Sequence, residues 1–338
     1  RWQEEKKAVL LDALKIDALL KTIAKGAYHL TQRNHYRFTR LELLQAMQGK
    51  NSRKHQQHIM DAVNSGLLTK IGDEDSSELM FYHRTFQEFL AACHVRDLIE
   101  SGKETEQKHG WEIVEDWSWQ PERDPVIELL AGLLETPKPL ITKLAEAKTD
   151  GFFRGRLVLA ANCLVEIAEK KRKALTPEIT QICDDVISFY ENTLKQNNYG
   201  KLFNIQDAMN SALVALGKID EQLLGRGIID IIMISSDRVH LLHKIGTETS
   251  VAELRKILLD RENDLGMDIR HAAEALGDIG TDLALPALLE ALESHDGLYE
   301  RSAFIEALGQ LGFEEAVPAL LNTLESANNG DLIASIIE

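Results

Sequence analysis

At 338 residues the chain exceeds the roughly 250 to 300 at which a single hydrophobic core stops growing, so more than one unit or a repeat array is expected. Apolar residues make up 44% and charged residues 27%, which argues against long disordered tracts, and no apolar run approaches the ~18 to 20 residues that span a bilayer. The formal net charge of −16 is unevenly divided: residues 1–110 carry 17 Lys and Arg against 15 Asp and Glu, the rest 21 against 39. Such an acidic stretch repels a nucleic-acid backbone and favours a basic partner or none.

The first residues, 1–7, are polar rather than signal-like, and Cys93, Cys163 and Cys183 form no CxxC pair. The chain therefore reads as cytoplasmic, with buried reduced thiols. A helix is predicted over 18–30, where Leu19, Leu20, Ile23, Ala24 and Ala27 recur at helical spacing. A second covers 40–47, opened by Thr39 with Glu42 three residues later, the pattern of a capping box. A third covers 53–64 and runs into Ser65-Gly66. Segments 67–71 and 79–82, separated by a polar turn, read as a two-stranded hairpin. Three helices and a hairpin make a winged helix. The next helix has Thr85 and Glu88 at capping-box spacing, and Phe86, Phe89, Leu90, Cys93 and Leu98 on one stripe expected to pack back on the module.

The string Phe81-Tyr82-His83-Arg84-Thr85-Phe86-Gln87-Glu88-Phe89-Leu90-Ala91-Ala92 closely resembles the F-x-H-x-x-F-Q-E-[FY]-[FL]-A-A signature that ends the winged-helix domain of NACHT-type (STAND-class) signal-transduction NTPases. Leu19-Leu20-x-x-Ile23-Ala24 and Ser65-Gly66-Leu67-Leu68 match that domain's usual landmarks, Arg1-Trp2 resembles the close of the preceding helical domain, and the stretch 111–134 resembles the start of the helical sensor region. The resemblance implies that His83 reaches the phosphate of a bound nucleotide and holds a closed, ADP-bound state. It also implies that the NTPase core, with its ATP or ADP and Mg, precedes Arg1, because no G-x-x-x-x-G-K-[ST] loop occurs in this sequence; Gly49-Lys50-Asn51-Ser52 lacks the first glycine. Without that core His83 has no phosphate to contact, and its other reading is a cap on the junction between hairpin and helix. Gln87, Glu88 and Phe89 read as packing and capping residues.

Lys50, Arg53, Lys54, His55, Gln57 and His58 lie where a DNA-reading winged helix carries its recognition helix. The attached acidic region opposes DNA, so a solvated basic helix, or one that docks on the NTPase core, is the preferred reading. His55 and His58 could chelate a metal, but no third ligand is evident. Trp111, Trp117 and Trp119 cluster beside Pro121 and Pro125 and are read as an anchor between modules rather than a binding platform. No nucleophile with its base and no carboxylate pair is legible, so this chain is not expected to be an enzyme.

Farther along, the sequence repeats. Residues 274–294 and 306–326, offset by 32, share 13 of 21 positions, including Glu-Ala-Leu-Gly at 274 and 306 and Pro-Ala-Leu-Leu at 286 and 318. Each unit reads as an Ala/Leu-rich helix, a Gly-x-x-Gly stop, then a second helix starting near Asp282 or Glu314 with proline in its first turn. Fainter copies occur at 212–217, 241–246, 157–167 and 127–134, which suggests about six hairpins. The style of Arg270-His271-Ala272-Ala273-Glu274-Ala275-Leu276-Gly277 resembles the short HEAT repeats also found in bilin lyases. Such hairpins stack into a solenoid that binds a partner. Ile336-Ile337-Glu338 carries no polar cap, so a short final helix ends there or the natural protein continues.

The expected architecture is mainly α: 1–17 as the end of a preceding helical domain, 18–110 as a winged helix with its β-hairpin and following helix, and 111–338 as an α-solenoid of HEAT-like hairpins. By resemblance the chain is the non-catalytic regulatory and sensor half of a NACHT NTPase, in signalling such as antiviral defence or stress response. Its partners would be the preceding NTPase domain and a protein or other ligand on the repeats, with no nucleic acid or membrane, and with oligomerisation on activation of the whole protein. A constitutive HEAT scaffold and a winged-helix DNA-binding regulator are the alternatives.

Overall fold

The computed structural model describes residues 13–47, 53–72, 78–146, 150–151, 154–195, 203–220, 223–235, 237–260, 266–295 and 297–326. Arg1-Trp2, Lys50, the tip of the 72–78 turn and the terminal Ile336-Ile337-Glu338 lie outside these residues. The chain divides into two compact units, Arg1–Glu178 and Ile179–Glu338; the boundary expected near 110 falls inside the first.

The first unit opens with α1 (Ala13–Gln32), β1 (Phe38–Thr39), α2 (Arg40–Ala46), α3 (Arg53–Asn64), β2 (Leu68–Lys70), β3 (Glu78–Phe81) and α4 (Arg84–Ile99). The capping box at α2 is present, with the Glu42 amide donating to Thr39 Oγ1 and the Thr39 amide to Glu42 Oε2. The sheet has one strand more than the sequence suggested. It runs β1-β3-β2, antiparallel throughout, with Phe38 opposite Leu79 and Leu68 opposite Phe81. Two residues before a helix carry no alternation, so β1 is defined only by the partner it meets. Phe38 and Phe81 place their rings 5.7 Å apart and, with Ile23, Ala27, Leu43, Ile59 and Leu79, close one core under the sheet.

After α4 come α5 (Glu104–Trp117), α6 (Asp124–Leu133), α7 (Lys138–Ala145), α8 (Gly155–Glu166), α9 (Glu169–Arg172) and α10 (Thr176–Lys195), whose first turn holds the unit boundary. Helix α4 packs against α1 on one side and against α5 and α6 on the other. That shared helix carries the first unit past residue 110. Of the three tryptophans only Trp117 is an anchor: it is 2% exposed, 5.3 Å from the Tyr28 ring of α1, with Arg123 over its face at 5.6 Å. Trp119 is half exposed and lies under Arg156 instead, because the helix ends at Trp117 and the chain turns.

The second unit consists of helical hairpins. After α11 (Phe203–Ile219), a π-helical turn (Leu224–Ile228) leads into α12 (Ile229–Ile234). Then follow the pairs α13 (Arg238–Ile245) with α14 (Glu248–Leu259), α15 (Gly266–Ile279) with α16 (Ala284–Ser294), and α17 (Leu298–Leu311) with α18 (Val317–Ser326). The first helices α11, α13, α15 and α17 pack side by side in one layer, and α14 packs on α16 in another. Gly246, Gly280 and Gly312 end α13, α15 and α17 with φ of +67°, +69° and +66°, the left-handed conformation that costs glycine least. Helices α15 and α17 thus end within their Gly-x-x-Gly, at the second glycine; the first, Gly277 or Gly309, still lies inside the helix.

No helix among the described residues is long and apolar enough to cross a membrane.

Candidate functional site

The sequence placed its weight on residues 81–92, and the fold sets them at the step from β3 into α4. His83 is the N-cap of α4, with extended φ and ψ of −136° and 145°. Its Nδ1 accepts from the Thr85 amide at 3.2 Å and lies 2.9 Å from Thr85 Oγ1. The capping box expected from Thr85 and Glu88 is therefore not formed. The helix starts two residues earlier than that pattern requires, at Arg84 rather than Phe86, and Glu88 turns to Arg84, whose Nε donates to Glu88 Oε1 at 2.7 Å. Arg84 in turn stacks over Tyr36 at 4.4 Å.

The buried face of α4 also differs from the expected stripe. Gln87, Glu88, Leu90, Ala91, Ala92, Val95 and Ile99 are buried. Phe86 and Phe89 remain 45% and 40% exposed, and Tyr82 beside them 69%. The reason is that α4 is clasped from two sides, by α1 and by α5 with α6, so small and polar residues take the crowded face. Gln87 makes that face hold: its amide nitrogen donates to Thr31 Oγ1 and to the His35 carbonyl, both at 3.1 Å, tying α4 to the end of α1. His83, Tyr82, Phe86 and Phe89 are thus exposed together around the first turn of α4.

The basic helix of the sequence reading is α3. Arg53, Lys54, Gln56, Gln57 and Met60 are exposed on it, whereas His58 is buried, with Nδ1 lacking a partner; burial, then Lys54 and His55, push its pKa down. His55 and His58 set their rings 6.3 Å apart and perpendicular. Among the described residues no third His, Cys, Asp or Glu joins them in a metal-holding group. Cys163 and Cys183 are buried and Cys93 half-buried, all as free thiols.

The second unit offers a different kind of surface. Residues 179–338 hold 11 Lys and Arg against 27 Asp and Glu, while residues 1–178 balance at 27 against 27, so the whole net charge belongs to the repeat unit. Two adjoining recesses of about 390 and 440 Å³ run across its first-helix layer and share Asp237 and His240. Polar links step from helix to helix there. Asn210 donates to Asp237 at 3.0 Å, Arg238 grips Asp268 at 2.6 and 3.0 Å, and His243 Nε2 lies 3.6 Å from Asp278. Sequence reading found the repeats and the acidity but not this groove, which exists only once residues about 30 positions apart are stacked.

A search of curated proteins finds no relative that matches the chain. The family model of HEAT repeats matches residues 251–338, which run from within α14 through α18, and stacked hairpins of this kind form extended surfaces for binding other proteins.

Proposed function

We propose that the chain is a non-catalytic recognition and restraint region: the repeats bind a protein partner, and the α1–α4 module acts as the winged helix that holds a NACHT-type NTPase core closed. The HEAT-repeat match supports the first half of this reading. The observation that carries the second is the placement of His83, capping α4 through Nδ1 while its exposed ring leaves Nε2 for another group. The helix order, the small antiparallel sheet and the Phe81–Ala92 signature support a winged helix. Partner binding would open the switch only by favouring the open state over the closed one.

The test separates the two nitrogens. In the natural protein bearing an NTPase core, His83→Asn keeps a cap acceptor and removes Nε2; faster ADP release or constitutive signalling is the expected result. Unchanged release with His83→Asn would sink the restraint role and leave the constitutive scaffold. The DNA-regulator reading predicts duplex binding that falls with salt and is lost on Arg53→Ala with Lys54→Ala.

A further inference from the structure

Histidines from three helices gather where the end of α1 meets the end of α5. Tyr28, buried on α1, sets its ring 4.8 Å from His29, 5.0 Å from His94 of α4 and 5.3 Å from Trp117 of α5. Beyond Trp117, Arg123 reaches back to α1, with Nη2 donating to the Gln32 carbonyl at 3.4 Å. The charge of His109 on α5 is felt by both His29 and His94, which places α5 beside the pair.

The seam is short of negative charge. Arg123 is buried, and its Nε and Nη1 meet no acceptor among the described residues. Lys25 of α1 adds a cation beside His94. Asp97 is the one acid among the groups that act on His94, and Arg96 already holds it at 3.0 Å. On α5, Glu112 lies beside Lys108 and His109, and Asp116, near Tyr28, accepts from Gln120. Helix α6 brings Asp124 and Glu128, neither of which has a histidine among the groups that shift it. A neutral imidazole fits such a place, whereas an imidazolium is left without a counter-charge of its own.

We propose that this seam is an acid-operated latch: protons taken up by His94 and His29 lift the end of α5, and Trp117 with it, off α1. The core under the sheet stays closed, because Ala27 and Leu30 of α1 belong to it and, among the described residues, none of α5 does. Burial, then His29 and Lys25, push His94 down to about 4, and burial lowers His29. Opening returns a histidine to its ordinary ~6.5, so the closed seam is favoured above that value and is lost as pH falls through the folded one. For a shift from about 4 the bias toward opening is roughly thirtyfold at pH 5. The latch does not rest on the restraint role of His83.

Hydrogen exchange of the whole chain, read on fragments and corrected for the intrinsic effect of pH, tests it. From pH 7.5 to 5, the amides that close the end of α5, over 114–120, should exchange about thirtyfold faster. Amides of α3 and α15 should change less than about threefold. His94→Gln and His94→Phe, which cannot titrate, should each cut the acceleration to about threefold or less, and thermal melts at pH 7.5 show that the variants fold. Equal acceleration in α3 would mean global acid unfolding. That result, no acceleration over 114–120, or full acceleration in a folded variant would each overturn the latch.

Discussion

A methyl group placed on Gly277 would meet Ala307 Cα at 3.0 Å and Gln310 Oε1 at 2.5 Å, whereas one placed on Gly309, the same position in the next repeat, would meet nothing within 4 Å among the described residues. Two glycines that look alike in the sequence thus do different things. Gly277 lets α15 and α17 approach backbone to backbone, whereas no described residue lies against Gly309.

Opposite outcomes follow for the two alanine variants. Gly277→Ala forces α17 away and should cost about 1 to 3 kcal/mol, the usual range for overpacking. Gly309→Ala gains helix propensity, meets none of the described residues and should stabilise by about 0.5 to 1 kcal/mol. Denaturant midpoints of both variants decide this, and equal effects would mean that the helices do not approach as described.

Gln87 is the polar pin of the first unit, buried at 1% exposure with bonds to Thr31 and His35. Gln87→Ala leaves those groups without a buried donor and should cost about 1 to 3 kcal/mol. Phe86→Ser on the exposed side of the same helix should cost less than about 1 kcal/mol, against the ~3 to 5 of a fully buried phenylalanine. A reversal of that order in chemical unfolding would restore the stripe expected from the sequence.

His94 packs 5.0 Å from the Tyr28 ring, and burial, then His29 and Lys25, with a smaller contribution from His109, push it down to about 4 against the opposing pull of Asp97. A histidine held neutral in the fold contributes stability above its unfolded pKa of ~6.5, and that stability is lost as pH falls through 4. His94→Phe should flatten the acid limb of the stability profile between about pH 6.5 and 4 by roughly 1 to 3 kcal/mol. An unchanged limb would place the titration elsewhere.

Asp124 runs the other way. Burial, then Glu128 and Glu122, push its carboxyl up to about 7, so the fold holds the proton more tightly than the unfolded chain does. Stability from this group therefore falls as pH rises from about 4 to 7. Asp124→Asn should raise stability at pH 8 by about 1 to 3 kcal/mol while changing little at pH 4. The His94 and Asp124 slopes oppose each other, so the two variants need separate melts across pH.

Local patterns that depend on neighbours in the chain were legible in the sequence. The Thr39 and Glu42 box, helix α3 over 53–64, and hairpins repeating near 32 residues all depend on groups within one or two turns of each other. What failed was the inference about which side of α4 is covered, although Cys163 and Cys183 are buried as the sequence suggested. Phe86 and Phe89 looked like core because apolar residues usually are, yet α4 is held between two sets of helices and buries Gln87 and Glu88. Strand β1 needed β3, the divergent roles of Gly277 and Gly309 needed α17, and the acidic groove needed three hairpins in register. By itself the sequence determined the helical elements, the repeat and its charge, because these follow from propensity, capping and composition. Only the tertiary structure decided which faces are buried and which acids share a groove, because burial and charge density belong to surfaces assembled from residues far apart in the chain.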